Sequence, residues 1–472
     1  MTNRNEFVKL KNLSLPQSTA QLKRKLTLFD MTMIATGSVI GSGIFLTPSI
    51  IADALPSPLW IFSIWIIGGL FVLTGALTFA ELGAMMPEAG GVYVYLSKTY
   101  NKLFGFLYGW VYFLVVNTGG VAALSIAFAT YFGYFIPLSP TGLKLVAISG
   151  VIFLTLLNIR GVKAGAIFSD LFTVLKLAGI IGLIVIGMGW GSSGTSNFSA
   201  PLADLPQEFS GALAIAMVGV IWSCGGWQHA TFTAGEAKNP RKTVPFGMII
   251  GAIIVTVIYL LTNVAYLLLL SPSEMAASPH VAADAVETVI GSIGGSLIAL
   301  AIFVSTFGTA GIYTLTAPRI YFAMARDKIF FDKIAEIHPK YQTPAFSIIC
   351  QSTWVIILIL FWGTFESLIS YVVFTDAIFF ALTAMAVIIL RKRNPNTNRP
   401  YRTFGYPITP IIFIGIEAWL VLNTLVNKPA ESLAGLGFLL LGIPVYYFWK
   451  SGLKFKTEKG NKKNRLRRKI ND

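Results

Sequence analysis

Cysteine, histidine and charged residues are all scarce in this chain of 472 residues. It has 2 cysteines and 3 histidines, and charged residues make up 12% of it. Cys224 and Cys350 both fall within apolar segments, so we expect no structural or intermolecular disulfide. The sequence also lacks a metal-ligand cluster, a phosphate-binding loop, a nucleophile elbow and a pair of carboxylates disposed for catalysis. We therefore predict no metal, no cofactor and no enzymatic activity.

Apolar residues dominate the chain instead. They make up 55% of it, and the mean hydropathy is +0.70. Runs of about 20 apolar residues, the length that crosses the hydrocarbon core of a bilayer, recur along the whole sequence. We predict an all-α polytopic membrane protein of about twelve transmembrane helices, with no separate soluble domain. The predicted helices lie near 30–53, 59–85, 103–135, 143–160, 166–190, 209–235, 244–270, 288–325, 346–363, 367–391, 407–427 and 433–450.

The basic residues follow one side of the predicted membrane. The net charge is +15, and of the 36 Lys and Arg only Lys144 and Lys428 fall in loops on the opposite side of the predicted membrane. By the positive-inside rule both termini are predicted to be cytoplasmic, in a plasma or inner cell membrane. We expect the basic tails, 1–26 and 451–472, to contact anionic lipid headgroups rather than nucleic acid. The first apolar run follows a long polar leader without a small-residue cleavage site, so we interpret it as a retained helix.

The first predicted helix is interrupted near mid-membrane depth. Gly41-Ser42-Gly43 separates the apolar run that starts at Met31 from the one that resumes at Ile44. Glycine weakens a helix by about 1 kcal/mol relative to alanine, and irregular backbone at this depth is tolerated only inside protein or along a cavity. Unwound backbone offers amides to an anion and carbonyls to a cation, which suits a zwitterion. The alternative is a close helix contact through small residues.

The sixth predicted helix is interrupted in the same way, at Trp222-Ser223-Cys224-Gly225-Gly226. The first and sixth helices each begin a run of five, and an odd number of spans inverts the second run relative to the first. Paired interruptions at matching positions of inverted repeats point to the binding site of a transporter. We predict repeats at 27–190 and 209–393, followed by two further helices within 405–450.

The fifth predicted helix carries a lysine, Lys176, deep within its apolar span. A charged side chain at a helix centre costs at least about 2.5–3.5 kcal/mol, so it normally faces a polar interior and has a function. Ser169 and Thr173 lie on the same helical face. The alternative is a lysine that snorkels to the headgroups. We favour the interior position.

Several of these stretches occur in the same order in a known family. The stretches are Ile40 to Phe45, Ala80 to Gly83, Gly225 to Trp227, Glu236 to Pro240 and Ser305 to Gly308. From about Leu26 to Pro344 the chain resembles the L-type amino acid transporters of the amino acid–polyamine–organocation superfamily, and specifically a prokaryotic member. The resemblance implies the five-plus-five inverted-repeat fold (the LeuT/APC fold) and sodium-independent amino acid transport, often by exchange.

The resemblance also implies which residues form the site. The amides of Ser42 and Gly43 would take the substrate carboxylate, the carbonyls of Val39, Trp222 and Gly225 its ammonium, and Trp222 stands where relatives have an aromatic gate. The substrate-binding set implied in full is Val39, Ile40, Gly41, Ser42, Gly43, Ile44, Trp222, Ser223, Cys224 and Gly225. Lys176 matches a lysine that in relatives bridges the first and eighth helices, so the predicted coupling set is Lys176, Ser305 and Thr306.

One departure from the family concerns a partner. Animal members carry a cysteine, in the loop after the third helix, that bonds a heavy-chain subunit. The corresponding loop here, 136–144, contains none. We therefore expect no disulfide-linked heavy chain.

The sequence leaves several alternatives open. A sensor that binds an amino acid without moving it could use the same broken helices, and proton symport could replace exchange. The runner-up substrates are cationic amino acids or polyamines, which would want an acidic residue in the pocket. Glu81, Asp170 and Glu236 all lie towards the predicted cytoplasmic helix ends, and none lies near the two breaks. This favours neutral L-amino acids.

Overall fold

The computed structural model describes residues 22–191, 208–361, 365–430 and 432–450, with side chains from 365 to 372 left out. Within these ranges the regular structure is helical, apart from one isolated parallel bridge between Leu26 and Ala237. There are 10 helices long and apolar enough to cross a membrane, and two shorter apolar helices. The prediction of an all-α polytopic protein with about twelve spans is confirmed. Most of the two predicted basic tails lies outside the described residues.

The membrane helices are numbered here α1 to α12 in chain order, with α1 and α6 each in two parts. Their bounds are α1a Leu28–Val39, α1b Gly43–Ala54, α2 Pro58–Met85, α3 Lys102–Phe135, α4 Pro140–Ile159, α5 Val162–Trp190, α6a Phe209–Cys224, α6b His229–Phe232, α7 Pro240–Leu269, α8 Ser292–Arg326, α9 Ala345–Phe361, α10 Phe365–Arg393, α11 Ile408–Asn427 and α12 Ser432–Lys450. Short helices at Val92–Thr99, Pro272–Ala277 and Val281–Ile290 connect them. The predicted eighth helix, 288–325, was too long at its start, because Gly291 with a φ of 65° separates Val281–Ile290 from α8.

Polar caps and prolines fix several helix starts. The Thr27 hydroxyl accepts from the Asp30 amide, and the Asp30 carboxylate accepts from the Thr27 amide, which forms a capping box at α1a. Pro58, Pro140 and Pro240 each stand in the first turn of their helix, where the missing N–H has no intrahelical partner to lose.

The broken helices lie in the centre of the bundle. Helix α1b packs against α6a, and α1a packs against α5 and α7, while α7 also packs on α2 and α8 packs on α3 and α5. The most apolar window of α1 is 83% buried, whereas that of α12 is 22% buried. The interruptions predicted from glycine are therefore surrounded by protein, as irregular backbone at membrane depth must be. The division into two inverted repeats at 27–190 and 209–393 stays a prediction.

Helix α5 separates its lipid-facing and interior sides cleanly. Leu171, Val174 and Leu175 are exposed, whereas Thr173 and Lys176 are fully buried. The exposed face is apolar, as contact with lipid requires, and the polar face turns inward. The interior position predicted for Lys176 is confirmed, and the snorkelling alternative is wrong.

Ion pairs join the helices at the predicted cytoplasmic end. Arg319, in the last turns of α8, donates to both carboxylate oxygens of Glu236 at 2.7 and 3.0 Å, and both side chains are fully buried. Arg391 of α10 donates to Glu81 of α2 at 2.9 and 2.6 Å, and the Thr403 amide donates to Glu81 at 2.8 Å. These carboxylates therefore connect helices at that end of the protein.

Candidate functional site

Both central helices stop at the predicted interruptions. Helix α1a ends at Val39, and the chain becomes helical again at Gly43, where the N-cap residue Ser42 makes no side-chain capping bond. Helix α6a ends at Cys224 and resumes only for one turn at His229. The first amides of a helix and its last carbonyls have no partners within it. Each interruption thus leaves backbone donors and acceptors near the middle of the protein.

Small residues connect the two interruptions through hydrogen bonds and close backbone contacts. The Ser38 hydroxyl donates to the Gly226 carbonyl at 2.8 Å, and the Thr47 and Ser223 hydroxyls bond at 2.7 Å. Gly226 has a φ of 120°, and a Cβ there would lie 2.4 Å from the Ser38 carbonyl oxygen. A Cβ on Gly43 would lie 2.7 Å from the Ser223 Cα. The close-packing interpretation and the unwound-backbone interpretation of these glycines are therefore both correct.

Lys176 is bonded to the end of α1a. Its ammonium donates to the Gly37 carbonyl at 2.9 Å, the Ile40 carbonyl at 2.6 Å and the Thr309 hydroxyl at 2.7 Å. The side chain is fully buried. A cation at this position neutralises the negative end of the α1a dipole and satisfies carbonyls that the interruption leaves open. The bridge between the first and eighth helices that the resemblance implies is present in the structure.

The eighth helix supplies hydroxyls to the same carbonyls, but only one of the two predicted residues does so. Ser305 donates to the carbonyls of Ile40 at 3.1 Å and Gly41 at 2.9 Å. Thr306 instead donates to the Ile302 carbonyl of its own helix, so it makes no such contact and its coupling role stays a prediction. The second contact comes from Thr309, whose hydroxyl lies 2.8 Å from the Ile40 carbonyl. Ser305 and Thr309 are four residues apart and share a helical face, whereas Thr306 is turned away from it.

A cavity opens beside the two interruptions. Its walls come from α1, α2, α3, α6, α8, α10 and α11. Gly41 and Ser42 lie on one side of it, and Trp222 and Gly225 lie on another. The Ser42 hydroxyl is buried there without a hydrogen-bond partner. Residues of both interruptions thus border a common space.

Residues 26–445 match the amino acid permease family. This chain belongs to that family. The resemblance to L-type transporters is confirmed by three relatives, each of which covers most of both sequences.

The serine/threonine exchanger SteT of Bacillus subtilis (strain 168) is 35% identical over 439 residues, which are 91% of the permease and 97% of that protein. The large neutral amino acids transporter small subunit 2 of Homo sapiens is 31% identical over 443 residues, 91% and 81% of the two chains. The cystine/glutamate transporter of Homo sapiens is 30% identical over 440 residues, 92% and 86%. All three are transporters rather than enzymes, and the bacterial relative is consistent with a prokaryotic origin.

The cavity contains six of the ten residues predicted to bind substrate in this permease. Those in its walls are Val39, Gly41, Ser42, Gly43, Trp222 and Gly225. The Ile40 and Ile44 side chains are fully buried elsewhere, the Ser223 hydroxyl bonds Thr47, and Cys224 is buried near Gly68 of α2. Successive residues around an interruption point in different directions, so only part of the predicted set lines one cavity. The substrate-binding role of these four residues stays a prediction.

Tyr259 of α7 connects the two interruptions, and no sequence pattern predicts this contact. The Tyr259 hydroxyl of α7 lies 3.2 Å from the Val39 carbonyl and 3.0 Å from the Ser223 carbonyl. The Val39 carbonyl keeps a second lone pair for a ligand. Tyr112 of α3 and Tyr313 of α8 also line the cavity. A lone tyrosine in an apolar span is too common to mark a site by itself.

Two acidic residues lie in the cavity wall of the permease, and the sequence analysis missed both. Asp376 on α10 and Glu417 on α11 line the same space as the interruptions. The premise that no acid lies near the two breaks was therefore wrong. The available signal was a single acid within an otherwise apolar span, which is by default a functional candidate.

Proposed function

We propose that this permease exchanges amino acids across the cell membrane without sodium, with the substrate held between the two interruptions and exposed alternately to each side. The observation that carries the proposal is the pair of helix interruptions facing one cavity, with Lys176 fixed behind one of them. The exchange activity in the names of relatives, such as the serine/threonine exchanger, supports it.

The proposed pose uses the polarity of the broken helices. The substrate carboxylate lies against the amides of Ser42 and Gly43, at the positive end of α1b. The substrate ammonium lies against carbonyls at the ends of α1a and α6a, those of Val39, Trp222 and Gly225. Trp222 closes over the substrate from α6a. Because these are backbone groups, they recognise the part that all amino acids share.

Lys176 replaces a transported cation in this scheme. Its ammonium is already bonded to two carbonyls of α1a and one hydroxyl of α8, so positive charge is present at that point without sodium. A charge that stays fixed favours exchange of one substrate for another. If the lysine instead released its proton in one conformation, transport would be coupled to protons, and proton symport is the second candidate.

We also propose that the permease resides in a plasma or inner membrane with both termini cytoplasmic, and that it works without a disulfide-linked heavy chain. The charge distribution of the loops supports the orientation. Cys224 and Cys350 are free and lie within membrane helices rather than in an exterior loop.

Exchange is tested by uptake of radiolabelled amino acids into liposomes that contain the purified permease. Sodium, a pH gradient and internal amino acid are varied separately. We expect uptake that depends on internal amino acid and is unchanged when sodium is removed. A sodium requirement would contradict the role given to Lys176. Accumulation driven by a pH gradient without internal amino acid would establish symport, and binding without any uptake would establish a sensor.

A further inference from the structure

Part of the cavity wall comes from helices that carry no interruption. This wall is formed by α10 and α11, with Val373, Asp376 and Phe380 on the first and Glu417 on the second. Neither helix supplies interrupted backbone within the described residues near this wall. What this wall offers to a substrate is therefore its side chains, and it faces the part of the substrate that differs between amino acids.

Three of the four oxygens of these two carboxylates are buried with no hydrogen-bond partner among the described residues. Glu417 is 1% exposed, and neither of its oxygens has a hydrogen-bond partner. Asp376 is half-buried, and its buried Oδ1 also has none. By contrast, Glu81 and Glu236, at the predicted cytoplasmic helix ends, are each paired with an arginine.

The surrounding protein supplies no cation for them. In the part of the chain that the structure describes, the ion pairs involve neither Asp376 nor Glu417. Lys176, the buried lysine of the site, is occupied by carbonyls of α1a and the Thr309 hydroxyl. Burying a carboxylate away from water is unfavourable unless a hydrogen bond or an opposite charge compensates it. A cation entering the cavity would provide that compensation.

We infer that Asp376 and Glu417 bind a positively charged group at the end of the substrate side chain, so that the permease takes amino acids with a terminal ammonium or guanidinium. The inference rests on the proposed function, because the α-ammonium is assigned there to the carbonyls of the interruptions. A second positive charge, on the substrate side chain, is then left for Asp376 and Glu417. The aromatic residues Phe71, Tyr112 and Tyr313 line the same cavity and suit the methylene stem and the charged end of such a substrate.

The experiment compares lysine with norleucine, which has the same chain without the terminal ammonium. Full-length permease in liposomes is assayed for exchange of each radiolabelled amino acid. We expect the wild type to favour lysine at least tenfold. Asp376→Asn and Glu417→Gln, which keep shape and remove charge, should each lower the lysine-to-norleucine ratio at least tenfold. Glu287→Gln, at an exposed acid on Val281–Ile290, should leave the ratio unchanged.

The ratio does not depend on how much protein is active, so a partly unstable variant still reports on selectivity. If a variant does not fold, the wild-type preference decides. Equal exchange of lysine and norleucine by the wild type, or ratios unchanged in both variants, would overturn the inference while leaving amino acid exchange intact. Lysine that raises the melting temperature far more than norleucine, without any exchange, would support the inference and reject the proposed function.

Discussion

At the scale of single residues, Lys176 does what a bound metal cation does in other proteins. Three oxygens surround its ammonium within 3 Å, namely the Gly37 and Ile40 carbonyls and the Thr309 hydroxyl. Thr309 and Ser305 also donate to the Ile40 carbonyl. Lys176, Ser305 and Thr309 therefore all donate to backbone carbonyls at the interruption in α1, and of these three only Lys176 carries a charge.

Replacement of this lysine should separate stability from transport. In Lys176→Met the Thr309 hydroxyl can donate to the Gly37 carbonyl while the Ser305 hydroxyl donates to the Ile40 carbonyl, so we expect the free energy of unfolding to fall by less than about 2 kcal/mol. Exchange should fall more than tenfold, because the charge that holds α1a is gone. Thermal melting and liposome exchange measure the two effects. Lys144→Met is the matched control, since Lys144 is exposed and bonds one carbonyl, that of Leu360, at 3.0 Å. Exchange at the wild-type rate in Lys176→Met would show that the lysine only fills space.

At the scale of helices, the two interrupted helices lie among continuous helices that contact them on several sides. The polar end of α8 is held to the turn after α6b by the Arg319 and Glu236 pair, both fully buried. Removing one partner of a buried ion pair leaves an uncompensated charge, which costs far more than the pair contributes. This contact therefore fixes the relative position of α6b and α8 at the predicted cytoplasmic end.

A double-mutant comparison tests that contact. We expect Arg319→Met to lower the free energy of unfolding by about 3–5 kcal/mol, and Arg319→Met with Glu236→Leu to lower it clearly less. Lys328→Met, in the exposed pair of Lys328 and Asp332 at 3.3 Å, should change it by less than about 1 kcal/mol. Denaturation of the purified protein measures all three. A double variant no more stable than Arg319→Met alone would show that the loss does not come from an uncompensated Glu236 charge.

At the scale of the whole molecule, composition and periodicity predict what depends on local chain properties. Apolar length predicts the helices, glycine predicts the two interruptions, and a lysine in an apolar span predicts the interior position of Lys176. The predictions that fail depend on how a helix is rotated about its own axis and on contacts between segments distant in the chain. Choosing Thr309 over Thr306 requires knowing which face of α8 meets α1. An acid in an apolar span marks Asp376 and Glu417 individually, but that both line the same cavity depends on α10 and α11 packing beside α6.

The proposed function depends above all on backbone amides at the start of α1b binding the substrate carboxylate. Ser42 allows a direct test, because its φ of −83° is close to that of proline and its amide is one of the proposed donors. Ser42→Pro removes the amide N–H together with the hydroxyl, while Ser42→Ala removes only the hydroxyl. The measurement is the dissociation constant, by calorimetry on purified protein, of the amino acid that the wild type exchanges fastest. We predict that Ser42→Ala stays within a few-fold of wild type and that Ser42→Pro weakens binding at least tenfold. Equal affinity of folded Ser42→Pro and wild type would contradict the proposal that the Ser42 amide binds the substrate carboxylate.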